Sequence, residues 1–275
     1  MTRHSSRLLP VLAFLLAAFV QPAFAQCQSS TNVNSDCYLG KEKENQHSLR
    51  GWQLLRAKKH REAVDAFTKA IAVNPNIPSF YNNRGQALEE IGEVQKAIDD
   101  YSAAIRIRPQ DDLYYLNRGF AYYRIEDFAS AEADYRSALA INPKAWLARG
   151  RMAELNIALE RYEQALDILN GMIAQNPRSI DMRRLRASAY KGLEKFDEAL
   201  ADLGCETFDP VQRTYCYPLR ADVHLLRGDT GRSAADVNMA LRLDPKSDYA
   251  YRIRADIKRK QQDDLGALLD YSKAI

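Results

Sequence analysis

The strongest constraint in this sequence is a spacing. Pro75, Pro109, Pro143 and Pro177 each stand 34 residues apart; the series slips by one at Pro210 and is restored at Pro245. Twelve residues before the first four prolines lies an alanine, Ala63, Ala97, Ala131 and Ala165, and that series runs on through Ala199, Ser233 and Ala267. Four residues after each member comes a large side chain: Phe67, Tyr101, Tyr135, Leu169, Leu203, Val237 and Tyr271. Twelve before the same series stands a small one: Gly51, Gly85, Gly119, Ala153, Ala187, Ala221 and Ala255. Seven coincident registers mark a tandem repeat, and a period in this range means a stack of supersecondary units.

Each unit reads as a helical hairpin. With units starting at residues 44, 78, 112, 146, 180, 214 and 248, small residues at positions 8 and 20 let two antiparallel helices approach closely. The large residue at position 24 fills the seam beside them, and proline near position 32 ends the second helix, which it cannot continue. This pattern resembles the tetratricopeptide repeat, whose signature is a small residue at 8, aromatic at 11, alanine at 20, aromatic at 24, alanine at 27 and proline at 32. The second unit carries it as Tyr81, Gly85, Leu88, Ala97, Tyr101, Ala104 and Pro109, and the third as Tyr115, Gly119, Tyr122, Ala131, Tyr135, Ala138 and Pro143. The resemblance spans residues 44–275. It implies an all-α fold, a right-handed α-solenoid of about seven antiparallel helix pairs over units 44–77, 78–111, 112–145, 146–179, 180–213, 214–247 and 248–275, with the first helix of each pair lining a concave groove.

A second regularity is electrostatic. Position 7 is Arg50, Arg84, Arg118, Met152, Arg186, Arg220 and Arg254; position 23 is Ala66, Asp100, Asp134, Ile168, Asp202, Asp236 and Asp270. Five units have both charges and the fourth has neither, whereas pairing each aspartate with the next unit's arginine would set Asp134 against Met152. The pattern predicts a structural bridge inside each hairpin, Arg84 to Asp100, Arg118 to Asp134, Arg186 to Asp202, Arg220 to Asp236 and Arg254 to Asp270. An arginine ladder for an anionic ligand is the alternative reading.

The fifth unit breaks the pattern. Glu206 stands at position 27 and its proline comes one residue early. The second helix is expected to stop near Cys205, leaving Glu206 to Thr214 as an irregular link. Four cysteines fall into two local pairs, Cys27 with Cys37 and Cys205 with Cys216. Three connectivities are formally open, and the two local ones are the most economical; a Cys205–Cys216 bridge would tie the link to the next unit. Neither pair has the spacing of a zinc or redox site.

The two ends differ from the repeats. Within residues 1–25, Arg3, His4 and Arg7 precede an apolar run from Leu8 to Val20, and Ala23-Phe24-Ala25 supplies small residues before Gln26. That is the pattern of a cleaved secretory signal. The expectation is an exported, periplasmic protein with no integral membrane span once the signal is removed; secretion, or anchoring by an uncleaved signal, is the alternative. Residues 26–43 form a polar segment. The seventh unit stops at position 28 without a polar capping helix, which leaves Leu265, Leu268 and Tyr271 on or near an open edge suited to self-association or docking; a sequence that has been cut short is the alternative reading. Arg3 and Arg7 are two of the 39 basic residues, so the remainder is nearly balanced against 36 acidic ones. Balance of that kind argues against a nucleic-acid partner.

No catalytic constellation, phosphate loop or metal-ligand spacing stands out, so neither an enzyme nor a cofactor is implied. The family resemblance directs attention to positions 2, 5, 9 and 12 of the first helices. The second unit offers Asn82, Gln86 and Glu89, the third Leu113, Leu116, Phe120 and Tyr123, and the fourth Leu147 and Glu154. An aromatic patch beside amides and acids suits an extended peptide or a partner helix, or else these side chains pack between neighbouring first helices. The clamp that other tetratricopeptide domains use for a C-terminal carboxylate, lysine at 5 and asparagine at 9, is missing. The expected function is a protein-interaction scaffold or adaptor; the alternatives are an envelope-complex subunit docking through its C-terminal edge, or an accessory module of an enzyme.

Overall fold

The computed structural model describes residues 42–274. The signal segment, the polar residues up to 41 and the Cys27–Cys37 pairing lie outside the described residues. Within them the fold is all-α, fourteen helices with no strand, and the chain divides into two compact units with the boundary after Leu155.

The first unit holds α1 (Glu42–Arg56), α2 (His60–Val73), α3 (Pro78–Glu90), α4 (Val94–Ile107), α5 (Asp112–Arg124), α6 (Phe128–Ile141) and the start of α7 (Trp146–Ala158). In it α1 packs on α2, α3 on α4 and α5 on α6. The reason is visible at the seam: a Cβ built on Gly85 would lie 2.7 Å from the Tyr101 ring, and one on Gly119 would lie 2.8 Å from Tyr135. Phe67, Tyr101 and Tyr135 are fully buried there, as are Ala63, Ala97 and Ala131. Adding a methyl group at either glycine would push the rings off their sites.

The turn between paired helices is built alike each time. Its residue at position 15 takes a left-handed conformation: Lys58, Gly92 and Glu126 in the first unit, then Glu160, Glu194, Gly228 and Gln262. Glycine takes this conformation without steric cost, whereas the lysine, glutamates and glutamine that stand there carry some backbone strain. Asp127, Asp229 and Asp263 then cap the second helix by accepting a backbone N–H, which satisfies one of its unpaired donors.

The second unit continues α7 and adds α8 (Tyr162–Gln175), α9 (Ile180–Gly192), α10 (Phe196–Asp202), α11 (Pro210–Leu226), α12 (Thr230–Leu243), α13 (Asp248–Lys260) and α14 (Asp264–Lys273). Here the expected link is corrected. α10 ends at Asp202, a 3₁₀ turn covers Cys205–Thr207, and α11 begins at Pro210, so Thr214 is already helical and the boundary at 213/214 falls inside α11. The cause is local: Pro210 has its φ preset for a first helical residue and Asp209 accepts the N–H of Gln212, so the helix starts early. Cys205 and Cys216 are joined, with their Cα atoms 5.6 Å apart, and both are fully buried beside Leu203, Phe208 and Tyr217.

Candidate functional site

The five arginine–aspartate pairs are found inside their own hairpins. Arg84 donates to both carboxylate oxygens of Asp100 at 2.7 Å. Arg118 and Asp134, Arg186 and Asp202, Arg220 and Asp236, and Arg254 and Asp270 make the same two-pronged contact. Each carboxylate is buried, and a planar guanidinium fork supplies the donors that such a carboxylate needs. Hydrogen bonding to Asp100 raises the Arg84 guanidinium further, and the Arg254 and Lys258 donors hold Asp270 down at about 2.

The sequence reading missed the third arm of these arginines. Arg84 Nη1 also donates to Thr68 Oγ1 at 3.1 Å, Arg118 to Ser102 Oγ at 2.9 Å, and Arg186 to Asn170 Oδ1 at 2.9 Å. Those acceptors all stand at position 25 of the preceding hairpin. One arginine therefore closes its own pair and reaches back to the pair before it. The signal was present, since Thr68, Ser102 and Asn170 share one register of polar side chains.

The first-helix face of the first unit carries the other candidates. Asn82 is buried, accepts from Asn117 Nδ2 at 2.8 Å and donates to Asn83 at 3.3 Å. Gln86 and Leu113 are half-buried. Glu89 is buried: Tyr101 donates its hydroxyl at 2.6 Å, and Arg124 Nη1 lies 3.4 Å from the carboxylate and 3.1 Å from the Glu89 carbonyl. Burial pushes the Glu89 carboxyl up, against the lowering effect of Tyr101 and Arg124. Leu116, Phe120 and Tyr123 are buried, whereas Leu147 is 44% exposed.

Glu154 is buried as well and accepts from Arg151 Nη1 at 2.7 Å, while the Arg151 guanidinium lies 4.3 Å above the Phe120 ring. Burial, with Glu154 nearby, pushes the Tyr123 hydroxyl up to about 12. Arg151 was not anticipated, yet its origin is simple. The fourth unit lacks the position-7 arginine and carries one at position 6 instead, and a one-residue step turns a side chain about 100° around a helix. That step moves the guanidinium from the hairpin seam to the first-helix face, where Glu154 is three residues on. Asn83 and Asn117 share position 6, so residues 83, 117 and 151 form one polar row. Tyr135, in the seam, has a fully buried hydroxyl with no hydrogen-bond partner.

Tandem helix pairs, joined by the arginine contacts and carrying a polar and aromatic row along their first helices, define a helical-repeat solenoid. Family models described as tetratricopeptide repeat match residues 49–112 and 126–189, so those two stretches carry repeats of that kind. The structure is similar to a tetratricopeptide repeat protein from Parabacteroides merdae, at 21% identity and a TM-score of 0.75, covering 85% of this chain and 93% of that one. It is also similar to the Pseudomonas aeruginosa pilF protein, at 14% identity and TM-score 0.64, covering 78% of this chain and 98% of that one. A third, YrrB, is described as a tetratricopeptide protein with an unusual peptide-binding site; it matches at 19% identity and TM-score 0.52, over 68% of this chain and 96% of its own. At these identities the likeness is one of fold. Proteins built from these repeats generally mediate contacts with proteins or peptides. Among the described residues no helix is long and apolar enough to cross a membrane.

Proposed function

We propose that this is an exported scaffold or adaptor that holds an extended peptide or a partner helix along the first-helix face of its first unit. The contact row is Asn82, Gln86, Glu89, Leu113, Leu116, Phe120, Tyr123, Leu147 and Glu154, with Asn83, Asn117 and Arg151 added. One observation carries the reading. The hairpins are already closed by the seam residues and the arginine–aspartate pairs, yet a further set of amides and a buried Arg151–Glu154 pair stacked on Phe120 is maintained on this face. Taking a charge pair out of water is costly, and a row of polar groups the seam does not need is suited to aligning a partner's backbone. The binding site described for YrrB gives a precedent for peptide binding on this fold. Export is supported by the buried Cys205–Cys216 bridge, a bond that persists in oxidising compartments, and by the signal-like first 25 residues. The reading is that of a binding protein rather than an enzyme.

The test is site-specific photocrosslinking in an envelope extract, with the reactive group placed at Leu147, at Gln86 and at the outward-facing Lys96. A single partner captured from Leu147 and Gln86 but not from Lys96 supports the row as the working surface. Capture from Lys96 alone would overturn it.

A further inference from the structure

Arg118 has two aromatic rings beside it. Its guanidinium lies 5.8 Å from the ring of Tyr115, at position 4, and 6.0 Å from that of Tyr122, at position 11. Arg186 in the second unit likewise has Tyr190 at position 11, 5.8 Å away. Arg84 makes the same two-pronged contact with its aspartate, reaches back to Thr68 in the same way, and keeps the position-4 ring, Tyr81, at 5.8 Å. At position 11, however, its hairpin has Leu88.

The shorter side chain leaves space. In the joint between α4 and α5, Tyr122 packs against the cluster that holds Ile98, and Ile98 is 3% exposed. Val64, at the same register in α2, is only half-buried, and a depression of about 260 Å³ opens among α2, α3 and α4 beside Val64, Thr68, Arg84 and Leu88. The exposed Asp99 lines it too, at a position where both tyrosine-filled joints have alanine, Ala133 and Ala201. An apolar cavity of about 150 Å³ is enough to hold benzene, so one aromatic ring has room here.

We infer that this depression receives a tyrosine side chain of a partner protein, with the ring against Val64, Leu88 and the Arg84 guanidinium and the hydroxyl donating to Asp99. The internal joints argue for that occupant, because the same arginine, held by the same contacts, carries a tyrosine of its own chain at this place in two of them. The complementarity is electrostatic as well as steric. A guanidinium is attracted to the negative face of an aromatic ring, and a carboxylate accepts the phenol proton, as Glu89 does from Tyr101 and Asp222 from Tyr249. Lys96 lines this depression, whereas Leu147 and Gln86 report on the first-helix face, so the two readings fail separately.

Titrating the isotope-labelled full chain with p-cresol, the tyrosine side chain by itself, and following its amide resonances tests this. Shifts confined to the stretches around Val64 to Thr68 and Arg84 to Asp100 are expected, with a Kd on the order of 1–10 mM. N-acetyltyrosine methylamide should bind at least as tightly, since a partner's tyrosine arrives on a peptide chain. Asp99→Ala, at an exposed position, should weaken p-cresol binding by about threefold or more. Leu88→Tyr supplies the ring from within, as Tyr122 does, and should abolish binding, whereas Leu88→Met keeps the depression and should retain it. The absence of localised shifts overturns the proposal. So does equal binding of 4-methylcyclohexanol, which has the size and the hydroxyl without the ring, or loss of binding when the ring is carried on the peptide methylamide. A folded Leu88→Tyr chain that still binds p-cresol in the same place overturns it as well.

Discussion

The third and fifth hairpins meet the same requirement by different means. In the third, α5 and α6 are both full-length, the Gly119–Tyr135 contact closes the seam, and Asp134 holds Arg118. In the fifth, α10 has only seven residues. The chain after it is secured by the Cys205–Cys216 bond, by Arg213 donating to the carbonyls of Phe208 and Glu206, and by Arg220 reaching Glu206 as well as Asp236. A halved helix cannot bury enough of its own side chains, so a covalent tie and guanidinium contacts take over. The repeat tolerates a missing half-helix where the open seam is closed by its neighbours.

The largest expected effect is on that tie. Replacing both cysteines with serine removes a cross-link across a sequence separation of 11, which should cost about 3 kcal/mol through the extra freedom of the unfolded chain. Urea unfolding gives the total, and amide exchange locates it. Protection should fall in residues 203–226 and persist in α3 to α6. Equal losses in both regions would remove the distinction drawn between the two hairpins.

Much of this architecture was legible because each repeat poses the same packing problem and solves it with residues at the same register. The helix pairs follow from Gly85 and Tyr101, and the in-hairpin bridges from Arg84 and Asp100, since small-against-large and plus-against-minus leave a periodic trace. What could not be read were departures that occur once. Whether α11 starts at Pro210 or after Thr214 depends on whether Asp209 caps it, a choice between two local solutions of similar cost. Arg151 reads as a lost position-7 arginine until the 100° step per residue is applied and Glu154 is noticed three residues on. Nor does periodicity show whether Phe120 and Tyr123 are open or covered, because first-helix positions share one spacing in either case; the structure buries both.

Two arginine partners sharpen the contrast further. Asp134 is almost fully buried against Arg118, whereas the Glu206 side chain is 62% exposed where it meets Arg220. Asp134→Ala should cost about 2–3 kcal/mol, because it strands a partly buried guanidinium. Glu206→Ala should cost under about 1 kcal/mol, since the pair is screened and Asp236 remains. Comparable losses in chemical denaturation would mean that the fifth hairpin depends on Glu206 far more than its exposure suggests.

The two regions should also differ in the sign of their pH response. His224 in α11 is buried, with Nδ1 unpartnered and Nε2 3.9 Å from Asp236. Desolvation lowers its pKa below 6.5, against the pull of Asp236 and Asp229, with Arg227 and Arg220 adding to the lowering. The unfolded chain therefore binds the extra proton first, so the contribution of His224 is intact above pH 6.5 and is lost as the pH falls toward its folded value. Glu89 in α3 runs the other way: its carboxyl is raised above 4.5 by burial, so its contribution is intact below pH 4.5 and is lost as the pH rises through the folded value. His224→Gln should flatten the loss of stability on the acid side, and Glu89→Gln should flatten the loss on the rise from acid toward neutrality. Thermal melts across that range check both. Unchanged profiles in the two variants would show that neither buried group sets the pH dependence.

The smallest effect comes from the turns, where the two regions are built alike. Glu126 holds φ at 62° and Gly92 at 85° at the same register position, each between a first helix and its second. A side chain in the left-handed region crowds its own carbonyl, which glycine avoids. Part of the gain is returned, because glycine also loosens the unfolded chain. Glu126→Gly should therefore stabilise by about 0.5 kcal/mol, and Gly92→Ala should destabilise by about 1 kcal/mol. Nothing lies within 4 Å of a Cβ built on Gly92, so the cost there is conformational and not a clash. The same exchange at Glu194, in the turn before the shortened α10, should match Glu126→Gly if the turn is an independent element. A distinctly larger response at Glu194 would mean that the fifth hairpin leans on its turn as well as on its disulfide.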